Sequence, residues 1–353
     1  LYVIQDLIPY AFLFLLLPSY HLFTSERMQH YFIRLILVFI VGNALYALYA
    51  FIMFAGGFAE LQDPLYKWFR DVNMGKITEI TPHFFRIVVP EHIIAVPALL
   101  IITSLLMRDE KHNPMWRMLS TLLILILALN FSRAYLLGLI IGLVVIAYKH
   151  TFKKWLQESV LVIGIFVAVF VGINALSSSG QHLGLDMLGL RLESIASPET
   201  ERSSLTRMQL LGPIFSEIRE YPLLGNGLGA TITYADPIDY SIVTTKHFDW
   251  GYLEMLAELG PVGFIYFIIF IALILIEIIK KIELVPDYHD FKVGLLAGLV
   301  SLLVINITAP ALFHVFGIFY LVFTIAFISK PFVLFDWITT LLYRVFNRVP
   351  HSK

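Results

Sequence analysis

Two polar stretches in an otherwise apolar chain hold the residue types that could do chemistry. The first is Asn130-Phe131-Ser132-Arg133, where an arginine interrupts a long run of Leu and Ile. A charge near a bilayer centre costs about 2.5–3.5 kcal/mol even on the lenient insertion scale. Arg133 is therefore either a side chain snorkelling from a helix end to the headgroups or an anion site facing a cavity between helices. The second stretch runs from Arg207 to Asp249. Arg207 falls in the first turn of a helix expected to start at Ser203 or Ser204 and run to about Tyr221, where the macrodipole disfavours a cation; that misfit points to an anionic ligand. His247 and Asp249, two residues apart, are candidates for a general base, since imidazole titrates near neutral pH and a carboxylate can orient it or act itself. A histidine outside the membrane is also, more simply, a polar surface residue.

Other candidates are weaker in type or place. Arg86, at the start of an apolar run, poses the same choice as Arg133, with snorkelling the simpler reading. Arg191, Arg202 and Arg219 read first as solvated charges, and Glu91 and His92 as either a proton-handling pair or a capped helix end. Gly225, Gly227 and Gly229 follow Pro222 and make a loop where backbone can approach a ligand closely. These glycines follow a helix rather than a strand, so they are no nucleotide fingerprint. There are no cysteines, which removes disulfides, thiolate catalysis and thiolate metal ligands. No HExxH, DxD or carboxylate cluster lies outside the apolar runs, so no metal and no cofactor is expected. A net charge of −1 gives no reason to expect nucleic acid.

The elements that must position these residues are membrane helices. Of 353 residues, 58% are hydrophobic and 14% charged, against about 25% charged in soluble domains. The fold class expected is all-α: a polytopic transmembrane helical bundle with one large, partly helical extracytoplasmic loop. A bilayer core of about 30 Å needs roughly 20 apolar residues per helix. Such runs occur near 3–20, 32–56, 87–107, 156–176, 252–279, 291–309 and 311–329. The stretch 118–148 is too long for one span. Basic loops at 108–117 and 149–154 flank it and belong on the cytoplasmic side. It must therefore cross twice, as a short hairpin turning at 130–133, which leaves Arg133 near the outer face.

Nine crossings follow, with 1–176 and 251–330 as transmembrane parts and 177–250 as an extracytoplasmic segment. The tail 331–353 reads as an interfacial cytoplasmic helix. Within 177–250, Leu210, Leu211, Ile214, Phe215 and Ile218 recur at helical spacing and define one apolar face. The chain opens at Leu1 inside an apolar run, and earlier residues are expected to precede it. Asp6 and the missing basic region make that run unlike a signal peptide.

Three stretches together resemble the O-antigen ligase and O-antigen polymerase superfamily of bacterial membrane glycosyltransferases. They are the turn Asn130-Phe131-Ser132-Arg133; Arg207, one helix, then Tyr221-Pro222-Leu223-Leu224-Gly225-Asn226-Gly227; and His247-Phe248-Asp249-Trp250-Gly251-Tyr252-Leu253 with Ala257-Glu258-Leu259-Gly260-Pro261-Val262-Gly263. The resemblance covers roughly 118–270. Ligases of the family usually place a catalytic His three residues before the Tyr-Leu pair. Here Asp249 holds that register and His247 lies two residues upstream, and an Asp there is more usual among polymerases.

The resemblance implies a donor glycan on undecaprenyl diphosphate and an acceptor that is a glycan or lipid-linked, in the bacterial inner membrane with the site facing the periplasm. Arg133 and Arg207, with Arg191 or Arg86, would hold the diphosphate without metal, because arginine forks bind phosphate bidentately. His247 or Asp249 would deprotonate the acceptor hydroxyl, with inversion at the anomeric carbon. The lipid bilayer and other polysaccharide assembly proteins, such as a chain-length regulator, are the implied partners. A ligase acting on lipid A core is the nearest rival to a polymerase. A transporter or flippase of a lipid-linked sugar is the rival from another class, but the Gly-rich break and most polar candidates sit in one outer segment rather than at midplane, which favours an enzyme.

Overall fold

The structure, a computed structural model, describes residues 2–22, 26–107, 114–196, 202–236, 241–246, 248–284 and 288–329. The expected tail helix at 331–353, His247 and most of the basic loop 108–117 lie outside these residues. The chain is mostly helical. Four helical stretches, Tyr2–Ser19, Arg34–Ala55, Phe152–Ser177 and Gly251–Glu283, are long and apolar enough to cross a membrane. Shorter apolar helices fill Pro90–Leu106, Pro114–Asn130, Arg133–Ala147 and Val315–Ile328.

In chain order the N-terminal stretch comprises α1 (Tyr2–Ala11), a 3-10 turn and α2 (Leu16–Leu22), followed by α3 (Glu26–Ala55) and the short α4 (Pro64–Asp71). A hairpin of β1 (Lys76–Thr81) and β2 (Phe84–Val88) leads through a 3-10 turn, Pro90–Ile94, into α5 (Ala95–Leu106). Then come α6 (Pro114–Asn130), α7 (Arg133–Ala147) and α8 (Phe152–Ser177). Next are α9 (Leu185–Ala196), α10 (Arg202–Glu220) and a second hairpin, β3 (Ile232–Ala235) with β4 (Ile242–Thr245). The chain continues through α11 (Gly251–Leu284), α12 (His289–Ile305) and α13 (Val315–Ser329).

The two hairpins correct the all-α expectation. Each is short, antiparallel and rich in β-branched residues, which suit a pleated, half-buried surface. The first also corrects where Arg86 sits. It lies on β2, paired across to Thr78, and the apolar helical stretch begins only at Pro90.

The bundle centres on α12, whose residues 291–299 are all buried. It packs against α5 and α7 through small residues. A methyl at Gly294 would meet Ile101 of α5 and one at Gly138 of α7 would meet Ile305, while one at Gly142 would close the contact of α7 with Leu100 of α5. Close backbone approach of this kind is how helices associate when lipid is as apolar as their own side chains.

Polar contacts collect at the two ends. At one end the Arg117 guanidinium makes two 2.6 Å hydrogen bonds to the Glu158 carboxylate between α6 and α8, and Ser104 Oγ donates to Asp290 O at 2.6 Å. At the other end lie the first hairpin, the α6–α7 turn and the segment 178–250. Glu158 is only 7% exposed, and Arg117 is the cation that meets its two carboxylate oxygens. Arg117→Ala is therefore expected to cost about 3–5 kcal/mol, while Arg117→Met with Glu158→Leu recovers most of it. Thermal unfolding in detergent checks both, and equal melting of Arg117→Ala and wild type would refute the dependence.

Candidate functional site

The α6–α7 turn is built around Phe131. Its backbone is left-handed, at φ 46°, a conformation a bulky residue adopts only when its surroundings demand it. The demand is visible: the ring is fully buried, stacked on Phe170 of α8 at 4.5 Å and edge-on to Phe84 of β2 at 5.9 Å. Phe131 N–H still donates to Leu127 O, closing α6, and Ser132 O accepts from Leu136 N, opening α7. Two residues thus reverse the chain.

Three of the expected arginines gather on this turn. Arg86 Nε donates to Asn130 O at 2.7 Å, and Arg191 of α9 sits over the Phe131 ring at 5.2 Å from its centroid. Arg133, the first residue of α7, donates from Nη2 to Ser204 Oγ at 2.9 Å. Below them, Asn130 Nδ2 and His92 Nδ1 lie 2.9 Å apart, both side chains buried. Arg133 therefore bridges the N-terminal ends of α7 and α10, and both ends present positive dipoles. Such convergence of cations and helix N-termini suits an anion such as phosphate.

Arg207 lies three residues beyond Ser204 on α10, the spacing at which helical side chains are neighbours, about 5–6 Å apart at Cβ. Among the described residues its buried Nε has no hydrogen-bond acceptor, and an Asp249 carboxylate oxygen lies 3.9 Å away. That is an ion pair without a hydrogen bond, and it leaves the guanidinium able to take an acceptor from a ligand. Trp250 Nε1 donates to Arg207 O, and Phe248 N–H donates to Glu254 Oε2. Together they fix the approach to α11 and hold Asp249 beside Arg207.

Asp249 is itself left-handed, at φ 56°, which Asp tolerates better than most residues. Phe248 is buried with Leu210, Ile214, Ala230, Ile232 and Ala257 in a small core separate from the bundle. The buried face of α10 is accordingly Leu210 and Ile214, with Ile218 against it, while Phe215 is 47% exposed.

The glycine loop and the break in α11 form one unit. Pro261 has no N–H to offer Ala257 O, and Gly260 leaves helical geometry at φ 63° and ψ 179°. The orphaned carbonyls are met from the loop: Asn226 N–H donates to Ala257 O at 2.8 Å and Gly227 N–H to Glu258 O at 2.9 Å. In return Val262 N–H donates to Leu223 O. Gly225 and Gly260 face each other, and a side chain on either would run into the backbone of the other strand of this contact. Glu258 Oε1 then takes Gly229 N–H. Gly225 and Gly227 are thus engaged with α11.

Among the described residues, no group of three or more His, Asp or Glu side chains could hold a metal ion. Sequence reasoning named Arg86, Arg133, Arg191, Arg207 and Asp249, and the structure brings the first three to one turn and pairs the last two. It missed Asn130, Ser204, Glu254 and Glu258 as their supports. The sequence marks Ser204 as a candidate helix cap, but nothing in it ties Ser204 to a residue 71 positions earlier.

Gly225→Ala or Gly260→Ala is expected to undock the loop, seen as lower thermal stability and faster tryptic cleavage after Arg207 and Arg219. Gly212→Ala, in an open position on α10, should instead stabilise by about 0.5–1 kcal/mol. Indistinguishable proteolysis of all three would disprove the docking.

No curated protein and no solved structure matches the chain. Residues 118–268, which hold the α6–α7 turn, α10, the glycine loop and the break in α11, match the family model described as O-antigen ligase, consistent with the O-antigen ligase and polymerase superfamily.

Proposed function

We propose that this protein is a membrane glycosyltransferase that moves a glycan from undecaprenyl diphosphate to an acceptor sugar hydroxyl, in surface polysaccharide assembly. The observation that carries this reading is the gathering of Arg86, Arg133 and Arg191 on the 130–133 turn, with Arg207 one helical turn beyond Arg133's partner Ser204. That end of the bundle faces the periplasm of the inner membrane in this reading.

The reaction follows from the charges. The acceptor oxygen attacks the anomeric carbon, the carbon–oxygen bond to the diphosphate breaks, and the diphosphate leaves with the electron pair. Arg133 and Arg207 neutralise it as it departs, and preorganised positive groups of this kind are usually a large catalytic contribution. Arg191 adds charge from above the Phe131 ring, and Arg86 holds the turn through Asn130 O. Asp249 or His247 takes the acceptor proton, and attack opposite the leaving group inverts the anomeric centre. No bound metal is required in this scheme, since arginines do the work of charge neutralisation.

Two acceptors remain in view, each with its own support. The family matched is described as a ligase, which favours transfer to lipid A core. Asp249 in the register before Gly251-Tyr252-Leu253 favours a lipid-linked repeat, as in polymerases.

Purified protein given a lipid-diphosphate-linked repeat, with each acceptor in turn, tests the proposal. Arg133→Ala and Arg207→Ala are each expected to lower transfer about 10²–10³-fold, far more than their effect on melting, which for Arg133→Ala includes the lost Ser204 hydrogen bond. Lysine at either place should not restore it, because it lacks the bidentate fork. Loss of about 10²-fold or more in only one of His247→Ala and Asp249→Asn identifies the base. Substrate binding without transfer in the wild type would reject the enzyme in favour of a transporter.

A further inference from the structure

A cavity lies beside the Pro90–Ile94 turn. It is an open cleft of about 310 Å³ lined by α3, α4, the residues after α4, Val89 and Glu91. Glu91 adjoins His92, the residue that meets Asn130, so the same short 3-10 turn contributes both to this cavity and to the support of the 130–133 turn. Asn43 and Tyr46 of α3 line it together with Glu91, so they stand level with the N-terminal end of α5. The cavity is thus at the same end of the bundle as Arg86, and the last turns of α3 rise past it.

Its lining is mixed in a particular way. Phe39, Tyr46 and Trp68 offer aromatic faces, and Asn43, Asn73 and Glu91 offer polar groups from three different elements. The wall is built: Asn73 Nδ2 donates to Tyr46 Oη at 2.9 Å, and the Tyr46 ring stacks on Phe69 at 5.9 Å. Two acceptors are left over. Asn43 Oδ1 and Glu91 Oε2 are both buried without a hydrogen-bond partner, an arrangement that costs free energy unless a ligand supplies donors. Among the described residues, no arginine or lysine lines the cavity, so it is ill suited to a diphosphate.

We infer that this cavity is a binding subsite for a neutral sugar ring, the acceptor end of the reaction. A pyranose has apolar C–H faces for the aromatic rings and hydroxyls that both donate and accept. It therefore uses the Asn43 and Asn73 amides and the Tyr46 hydroxyl as well as the Glu91 carboxylate. An ammonium headgroup would satisfy the rings and Glu91 but could only donate, leaving the amide and hydroxyl protons unused. The volume is at the low end for ligand pockets, room for a small ligand only. The acceptor assignment rests on the transferase reading; the sugar site itself does not.

The experiment uses the full chain in detergent and free radiolabelled disaccharides of neutral hexoses and N-acetylhexosamines, measured by equilibrium dialysis. Trp68→Ala is expected to fold, since Trp68 is half exposed, and to weaken disaccharide binding about tenfold. Glu91→Gln, which keeps the shape, should weaken it less. In transfer assays Trp68→Ala should raise the acceptor KM by a similar factor and leave the lipid-diphosphate donor KM unchanged. Wild type that binds no disaccharide, or variants that bind it equally well, would overturn the site. Phosphoethanolamine binding in place of sugar would also overturn it. Binding lost in Trp68→Ala, in a protein that transfers no glycan, keeps the sugar site and removes only its acceptor role.

Discussion

The end of the bundle that holds the candidate chemistry depends on one buried ring. Phe131 occupies a left-handed backbone position because its side chain is locked between Phe84 and Phe170. Without that lock, two residues could not turn α6 into α7, and the Asn130 carbonyl would not face Arg86. Arg133 would not stand at the first position of α7, and Arg191 would lose the face it rests on. Three elements distant in sequence (β2, α8 and α9) are thus registered to each other by aromatic packing at a single turn. Backbone strain at a functional site is characteristically held in this way, by surroundings that allow one arrangement only.

A second, smaller core then places the other half of the site. Leu210, Ile214, Ile232 and Phe248 bury one face of α10 against the second hairpin and the approach to α11. This core is separate from the bundle, and the Arg133–Ser204 hydrogen bond links the two. Arg207 and Asp249 belong to the smaller unit, while Arg86 and Arg133 belong to the turn. A diphosphate bound in the proposed manner would touch both units and add to the contacts that already join them, the Arg133–Ser204 hydrogen bond and the docking of the glycine loop on α11.

Hydropathy made the helices legible, because a run of about 20 apolar residues has few alternatives in a bilayer. The division of 118–148 into two short helices, α6 and α7, was legible from its length and from the polar break at 130–133. The helix over Arg202–Glu220 was readable from a serine at its start and Pro222 beyond its end. The hairpins were not read. Lys76–Thr81 does carry β-branched residues, but its two isoleucines are three apart rather than alternating, and four to six residues inside a polar connection give little pattern to count. The arginines were singled out by chemical type, yet their partners were hidden because the contacts span tens of residues. Arg86 reaches Asn130 across 44 positions and Arg133 reaches Ser204 across 71. Spacing within a helix says nothing about such pairs.

The exchange of hydrogen bonds between the glycine loop and the broken helix has a consequence for inheritance. Pro261 creates the unmet carbonyl that Asn226 N–H answers, and Gly225 and Gly260 each exist in a form that admits the other. A change in one half alone leaves either a steric conflict or an unpaired carbonyl inside the protein. The two sequence words, Pro-Leu-Leu-Gly-Asn-Gly and Glu-Leu-Gly-Pro, are therefore a single physical object written in two places. Selection can keep or discard them only as a pair, and a descendant that straightened α11 would have to find a new resting place for the loop in the same step.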